Sequence, residues 1–265
     1  MLRIGIGLRI VDGGGGLGID PAASAIFAAF TTPPVAARQE LINRFVVSLK
    51  AAGVWSLLDV LYVFAAHDSQ AALINWKNPG TFNGTANGTL TFTTDRGFTG
   101  DGSTGFIDTG FNPTTSGGNL TLNSAHIAVR VLTDFPNKNV IGQGGSASRI
   151  SVETRRSTDN AFRGNLDDTT GWTFAGLASG IGHYIGNRSS SAARQGYING
   201  ISVGTDTVVS SALDNSDIFI LDDPVGTGFS SQQVASCSFG ASLSAAQANA
   251  ISSADLAYMH GVGAA

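Results

Sequence analysis

Between Val35 and Leu49 the apolar residues Val35, Leu41, Ile42, Phe45, Val46 and Leu49 recur three and four apart, while Arg38, Gln39, Asn43, Arg44 and Lys50 take the other positions. That period puts the apolar set on one face of a helix. Thr31-Thr32-Pro33-Pro34 offers a cap and a proline near the first turn, and Gly53 stands where a left-handed residue ends a helix. The pattern predicts a helix over 32–53. From Val54 to Ala66 the chain is almost wholly apolar, and periodicity does not separate a helical turn from a buried strand. The expectation is a short turn at 55–58 and a strand over 60–66.

After Trp76 the pattern changes to short apolar or alternating runs separated by Gly, Thr, Asn and Ser. These runs predict strands over 90–94, 105–108, 125–133, 140–143, 149–154, 161–166, 172–174, 183–188, 195–198, 201–203, 217–221 and 235–241. Short strands at roughly 8 to 12 residue spacing, with turn signals between them, belong to an all-β sandwich or jelly roll. Asn199-Gly200 between two runs is a hairpin signal, because both central residues of a type I′ turn need positive φ. An alanine-rich stretch from Ser242 to Met259, capped by Ser244, predicts a closing helix. Upstream, Gly13 to Gly16 interrupt a short β-prone lead, and four consecutive glycines lose much entropy on ordering. The division expected is a glycine-rich arm over 1–30 that orders against a partner, a helical anchoring segment over 31–80 packed on the sandwich, and the β-sandwich over 81–265.

Composition narrows the function. The 265 residues carry a formal charge of −4 and only 13% are charged, against about 25% in an ordinary soluble protein. Nucleic-acid binding is disfavoured, because phosphate contacts need a basic excess. Seventeen Asp stand against two Glu, and twelve Arg against three Lys, with 35 Gly; the bias is toward turns and strand edges rather than solvent-facing helices. The resulting surface of hydroxyls, amides and backbone suits packing against other proteins and suits glycan binding equally. Cys237 lies in an apolar context and reads as a buried structural thiol. Glycines and arginines break the N-terminal apolar stretch before a secretion signal forms, and no window has the length of a membrane span. The expectation is a protein made in a cytoplasm.

Three ordered pieces resemble a known fold. Phe98-Thr-Gly-Asp-Gly-Ser-Thr-Gly-Phe-Ile-Asp-Thr-Gly110 resembles the opening hairpin of the concanavalin A-like (laminin-G-like) jelly roll. Gly196-Tyr-Ile-Asn-Gly-Ile-Ser-Val-Gly204 resembles its central hairpin, and Leu243-Ser-Ala-Ala-Gln its closing helix. The resemblance implies a mainly β, concanavalin A-like jelly-roll sandwich, here with an N-terminal arm and helix and a short C-terminal helix. Residues 51–77 resemble a module of tailed-bacteriophage and prophage virion proteins that precedes the same jelly roll. That implies a virion structural protein, located in the virion, that contacts other virion proteins through arm and helix and forms a homo-oligomer.

Candidate chemistry is sparse. The glucanases of this fold use two carboxylates flanking the glycosidic bond, but Glu40 and Glu153 form no such motif, and Asp167-Asp168 and Asp222-Asp223 read as turn or strand-end residues. His67, His126, His183 and His260 are scattered, with no nucleophile elbow beside them. Laminin-G-like domains often hold calcium on aspartates at a loop rim, which makes Asp101, Asp108, Asp222 and Asp223 the calcium candidates. Glycan binding needs an exposed aromatic and fixed polar groups. Trp172, in the polar stretch from Asp167 to Thr173, is the candidate aromatic, with Asp168 and Arg188 as polar partners; a strand residue covered by a neighbouring loop is the competing reading of Trp172. Trp55 and Trp76 read as core. The leading expectation is a non-enzymatic virion appendage, decoration or fibre component. The alternative is a carbohydrate-binding adhesion module that recognises host surface glycans, and a divergent glycoside hydrolase comes third.

Overall fold

The computed structural model describes residues 18–143, 148–225 and 228–265. In chain order the elements are α1 (Pro21–Ala29), α2 (Ala36–Ala51), β1 (Leu58–Val63), α3 (Ser69–Ala72), β2 (Thr85–Asn87), β3 (Leu90–Thr93), β4 (Gly97–Gly100), β5 (Phe106–Asp108), β6 (Ala125–Val131) and β7 (Ile141–Gln143). There follow β8 (Arg149–Arg156), β9 (Ala161–Asp168), β10 (Trp172–Gly176), β11 (Gly182–Ser190), β12 (Ala193–Ile198), β13 (Ile201–Asp206), β14 (Ile218–Ile220), β15 (Gln233–Gly240) and α4 (Ala245–Val262). The strands form two antiparallel sheets stacked as a sandwich. One runs β13-β12-β11-β6-β15-β4-β3, with β1 also paired to β15; the other runs β10-β9-β8-β7-β14-β5-β2.

Strand alternation decides what fills the space between the sheets. Ile127, Val129, Tyr184, Cys237 and Phe239 of the eight-stranded sheet meet Ile150, Val152, Phe162, Leu166 and Trp172 of the seven-stranded one, all of them buried. Phe162 and Tyr184 touch across the gap with ring centroids 5.2 Å apart. Cys237 is a buried free thiol whose pKa burial pushes well up. The same alternation turns His126, Arg130, His183, Ser236 and Ser238 to the outer face of the eight-stranded sheet, where α4 covers them. Arg130 and Ser236 both donate to Asp255 of α4, and the His183 ring nitrogen Nδ1 lies 2.7 Å from the Ser252 hydroxyl. Burial lowers both histidines to about 4, so they are neutral.

The two helices that the pattern predicts are present, α2 with a shifted start, and two more that it does not predict, α1 and α3, accompany them. α2 starts at Ala36, after an N-cap (Val35) that makes no side-chain cap bond. The Pro33-Pro34 pair disfavours helical backbone in the residues before it, so the chain stays non-helical up to there. Ile42, Phe45, Val46 and Leu49 are the buried face, and Phe45, Trp76 and Tyr258 meet edge to face where α2 and α4 pack together. Residues 1–17 of the expected arm, including Gly13 to Gly16, lie outside the described residues; residues 21–29 are helical, capped by Asp20 and buried at Ala23 and Ile26. α4 carries the capping box of Ser244 and Gln247 and ends on Gly263 at φ +76°. At 18 residues it has the length of the predicted stretch, set three residues further along the chain. Among the described residues no helix is long and apolar enough to cross a membrane.

Asn199 and Gly200 turn β12 into β13 with φ of +50° and +79°. The stretch from Phe98 to Gly110 is a correction. It contains no hairpin, because β4 belongs to the eight-stranded sheet and β5 to the seven-stranded one. The 101–105 loop carries the chain from one sheet to the other, and the Asp101 carboxylate, accepting from the N–H groups of Ser103, Thr104 and Gly105, holds it together.

Candidate functional site

Among the described residues, the helices cover the outer face of one sheet only. On the outer face of the seven-stranded sheet, β8, β9 and β10 turn outward the residues that alternate with their core set. From β8 these are Ser151 and Glu153, from β9 Arg163 and Asn165, and from β10 Thr173. Register sets them in two rows: Glu153 opposite Arg163 opposite Thr173, and Ser151 opposite Asn165. Arg163 Nε donates to Thr173 Oγ1 at 3.2 Å, and Ser151 Oγ donates to Asn165 Oδ1 at 3.2 Å. Asn139 and Arg149 close one side and the Thr169–Gly171 loop the other, leaving a groove of about 280 Å³. Gly171 has to be small, since a Cβ there would lie 2.9 Å from the Gly164 carbonyl oxygen.

Glu153 is the most deeply set charge in this groove, at 5% exposure. Burial pushes its carboxyl above the ordinary range, and the neighbouring Arg163 and Arg156 pull it part of the way back. Arg149 pairs with Asp223, which also accepts from Asn139. The lining thus offers one carboxylate, two guanidiniums, two amides and hydroxyls on a rigid sheet, and no aromatic side chain. Such a surface can hold a hydroxyl-rich ligand through fixed donors and acceptors.

The residues singled out from sequence come together elsewhere. Trp172 is 1% exposed and lies between the sheets, its ring over β9 and β11, where a Cβ on Gly164 or Gly186 would come within 2.5 Å of it. It is a core residue with no face to offer a sugar, because Trp172 and Phe174 both point inward and only Thr173 points out. Asp168 and Arg188 are fully buried and paired at 2.8 Å, Arg194 joins Asp168 at 2.5 Å, and the Arg194 guanidinium stands 5.7 Å from the Trp172 ring centre. The expected glycan trio is therefore one buried ionic cluster at the end of the sandwich. Beside it Asp167 sits at φ +59°, 1% exposed, with neither carboxylate oxygen hydrogen-bonded. Burial is the main cause of its rise to about 8; Arg188 opposes the rise and Asp168 adds to it.

The calcium candidates do not fit a metal. Asp101 spends its carboxylate on its own loop, whose N–H and hydroxyl donors hold its pKa far below the usual range. Asp108 accepts from the Gly110 N–H, and Asp223 is held by Arg149 and Asn139. Asp222, next along, is 7% exposed, and burial raises its pKa. Among the described residues no group of three or more His, Cys, Asp or Glu side chains converges as a metal site. Sequence reasoning missed Glu153 and Arg163. Their signal was the in-out alternation of Ile150-Ser-Val-Glu153 and Phe162-Arg-Gly-Asn165, which marks outward polar positions.

No known family model matches the chain, and no characterised protein matches it in sequence. Solved structures do match in fold. Domain 4 of AbnA, a GH43 extracellular arabinanase from Geobacillus stearothermophilus solved in complex with arabinotriose, superposes with a TM-score of 0.53 at 15% identity, over 74% of this chain and 98% of that one. A botulinum neurotoxin type C structure, described by its dependence on two ganglioside molecules for cell entry, gives 0.55 at 13% identity over 77% of this chain and 53% of that one. Trypanosoma rangeli sialidase, bound to 2,3-difluoro-KDN, gives 0.51 at 12% identity over 81% and 39%. The chain thus spans nearly all of the arabinanase domain but about half or less of the other two. At these identities the likeness shows the fold, and the fold is that of a β-sandwich shared with these proteins.

Proposed function

We propose that this protein is a carbohydrate-binding β-sandwich module, that the groove on β8–β10 is its saccharide site, and that it performs no catalytic step. The observation that carries this reading is the groove itself, a cavity lined by amide, hydroxyl, carboxylate and guanidinium groups on the sheet face that, among the described residues, no helix covers. The arabinanase domain of the same fold, solved with arabinotriose, supports it by analogy. A single carboxylate, Glu153, lines the groove, where hydrolysis by the two-carboxylate route needs a pair. The test is binding of the purified chain to an oligosaccharide panel, with Asn165→Ala as the site control. Binding that Asn165→Ala weakens supports the module; binding indifferent to Asn165 and Arg163 moves the site elsewhere.

Placement of such a module on a virion is a second reading, supported by the resemblance of residues 51–77 to phage virion proteins. In that setting the helical side would contact other virion proteins, in an oligomer, and the groove would meet host glycans. Quantitative mass spectrometry of gradient-purified particles tests it: hundreds of copies, or a handful, place the chain on the particle, and its absence removes the reading.

A further inference from the structure

The charges around the groove are balanced, and their arrangement narrows the ligand. Arg149 is engaged with Asp223 on one side. Glu153 and Arg163 stand opposite each other as register partners across β8 and β9, yet among the described residues they do not close into an ion pair. Arg163 is aimed by its Nε bond to Thr173, and its two terminal nitrogens donate to no protein acceptor. The Glu153 carboxylate, nearly out of solvent, has a backbone hydrogen bond from Asn137 and, among the described residues, no side-chain donor. The groove therefore holds one oriented acceptor and one oriented donor side by side, each with hydrogen-bonding capacity that no protein side chain among the described residues uses. A buried carboxylate beside a half-buried guanidinium favours a ligand that completes both and penalises one that does not.

Resting on the saccharide reading above, we infer that the groove recognises the hydroxyl-bearing edge of a neutral sugar, one hydroxyl donating to Glu153 and a neighbouring hydroxyl accepting from Arg163, and that it excludes sugars carrying a carboxylate. A pair of adjacent hydroxyls supplies both the donor and the acceptor that the pair lacks. A ligand carboxylate would satisfy Arg163 but would lie against Glu153, and like charges set together in a desolvated site repel strongly. Recognition is by the edge and not the face of the ring, because the lining has no aromatic platform and Trp172 lies beneath Gly164 on the inner side.

The experiment is calorimetric titration of the full chain, as wild type, Glu153→Gln and Arg163→Met, with arabinotriose, maltotriose and cellotriose as neutral probes and trigalacturonate and sialyllactose as acidic ones. Thermal melts confirm that each variant is folded; glutamine keeps the shape of Glu153, and Arg163→Met carries the test should Glu153→Gln not fold. The expected result is that a neutral probe binds at least about tenfold tighter than the acidic ones. Glu153→Gln then weakens the neutral probe by roughly ten- to a hundredfold, the value of a charged hydrogen bond, and narrows the gap to the acidic probes. Acidic probes binding more tightly than neutral ones in the wild type would overturn this inference and leave the saccharide site standing. Neutral binding unchanged in both variants would overturn the role of the pair. No binding by any probe would overturn the saccharide reading together with the inference.

Discussion

Replacing Asp167 with asparagine should leave stability nearly unchanged near pH 4 and raise it progressively as the pH climbs to 8. Asp167 is 1% exposed and neither of its oxygens has a hydrogen-bond partner, so the fold accepts the neutral acid and penalises the carboxylate. Its pKa is 3.8 in a free chain and about 8 in the fold. Between those values the folded state keeps a proton that the unfolded state releases, so wild-type stability falls as pH rises across this window and levels off above it. At about 1.4 kcal/mol per pH unit the loss is at most about 5 to 6 kcal/mol by pH 8. Local rearrangement and water entry absorb part of this, and about 2 kcal/mol or more should remain. Asparagine has nearly the same shape, tolerates the positive φ at this position, and does not titrate. Urea unfolding of both proteins at pH 4, 5, 6.5, 8 and 8.5 measures the difference directly. The two curves should meet near pH 4 and diverge steadily up to pH 8. A constant offset across the range would refute the reasoning, since it would mean that Asp167 ionises in the fold much as it does in the free chain.

Trp172→Ala should cost about 3 to 5 kcal/mol, the range for a buried tryptophan leaving a cavity, and should show as a lowered melting temperature whether or not sugar binding persists. Asp255→Asn removes the charge that Arg130 faces beneath α4 and should cost about 3 to 5 kcal/mol in urea unfolding; the double variant Arg130→Met/Asp255→Leu should recover most of that loss. His183→Asn should flatten the acid side of the melting profile. His183 titrates near 4 in the fold and 6.5 unfolded, so the unfolded state takes up the proton first and wild-type stability is lost as pH falls from 6.5 towards 4, by up to about 3 kcal/mol for this one group. A melting profile equally steep in the variant would mean that the imidazole is not the group being protonated.

Local chemistry was legible in the sequence wherever a residue's role is settled by its near neighbours. The Ser244 cap, the Asn199-Gly200 turn and the apolar stripe of α2 all occur where the pattern put them, because each is closed by residues a few positions away. What failed depends on partners far along the chain. Phe98 to Gly110 reads as a hairpin until β15 claims β4 and β14 claims β5, which puts the two strands in different sheets. Trp172 looked exposed because acidic and hydroxyl residues precede it, but Asp168 is polar for the sake of Arg188 and Arg194, residues 20 and 26 positions on. The groove was hidden for the same reason. Alternation shows that Ser151, Glu153, Arg163 and Asn165 face outward, and only the register of β8 with β9 shows that they face outward together.

Among the described residues one sheet is roofed by helices and the other carries none, which gives this part of the molecule a back and a front. α1 packs on α2, α2 on α4, and α4 over the eight-stranded sheet, so the stretch leading to Ala265 lies behind the sandwich and the groove looks the other way. A support coupled beyond Ala265 would leave every groove turned outward and unobstructed. Laid side by side in that manner, sites that each hold a sugar weakly would act on a polymeric glycan at a high effective concentration, and the grip of the array would far exceed that of one groove.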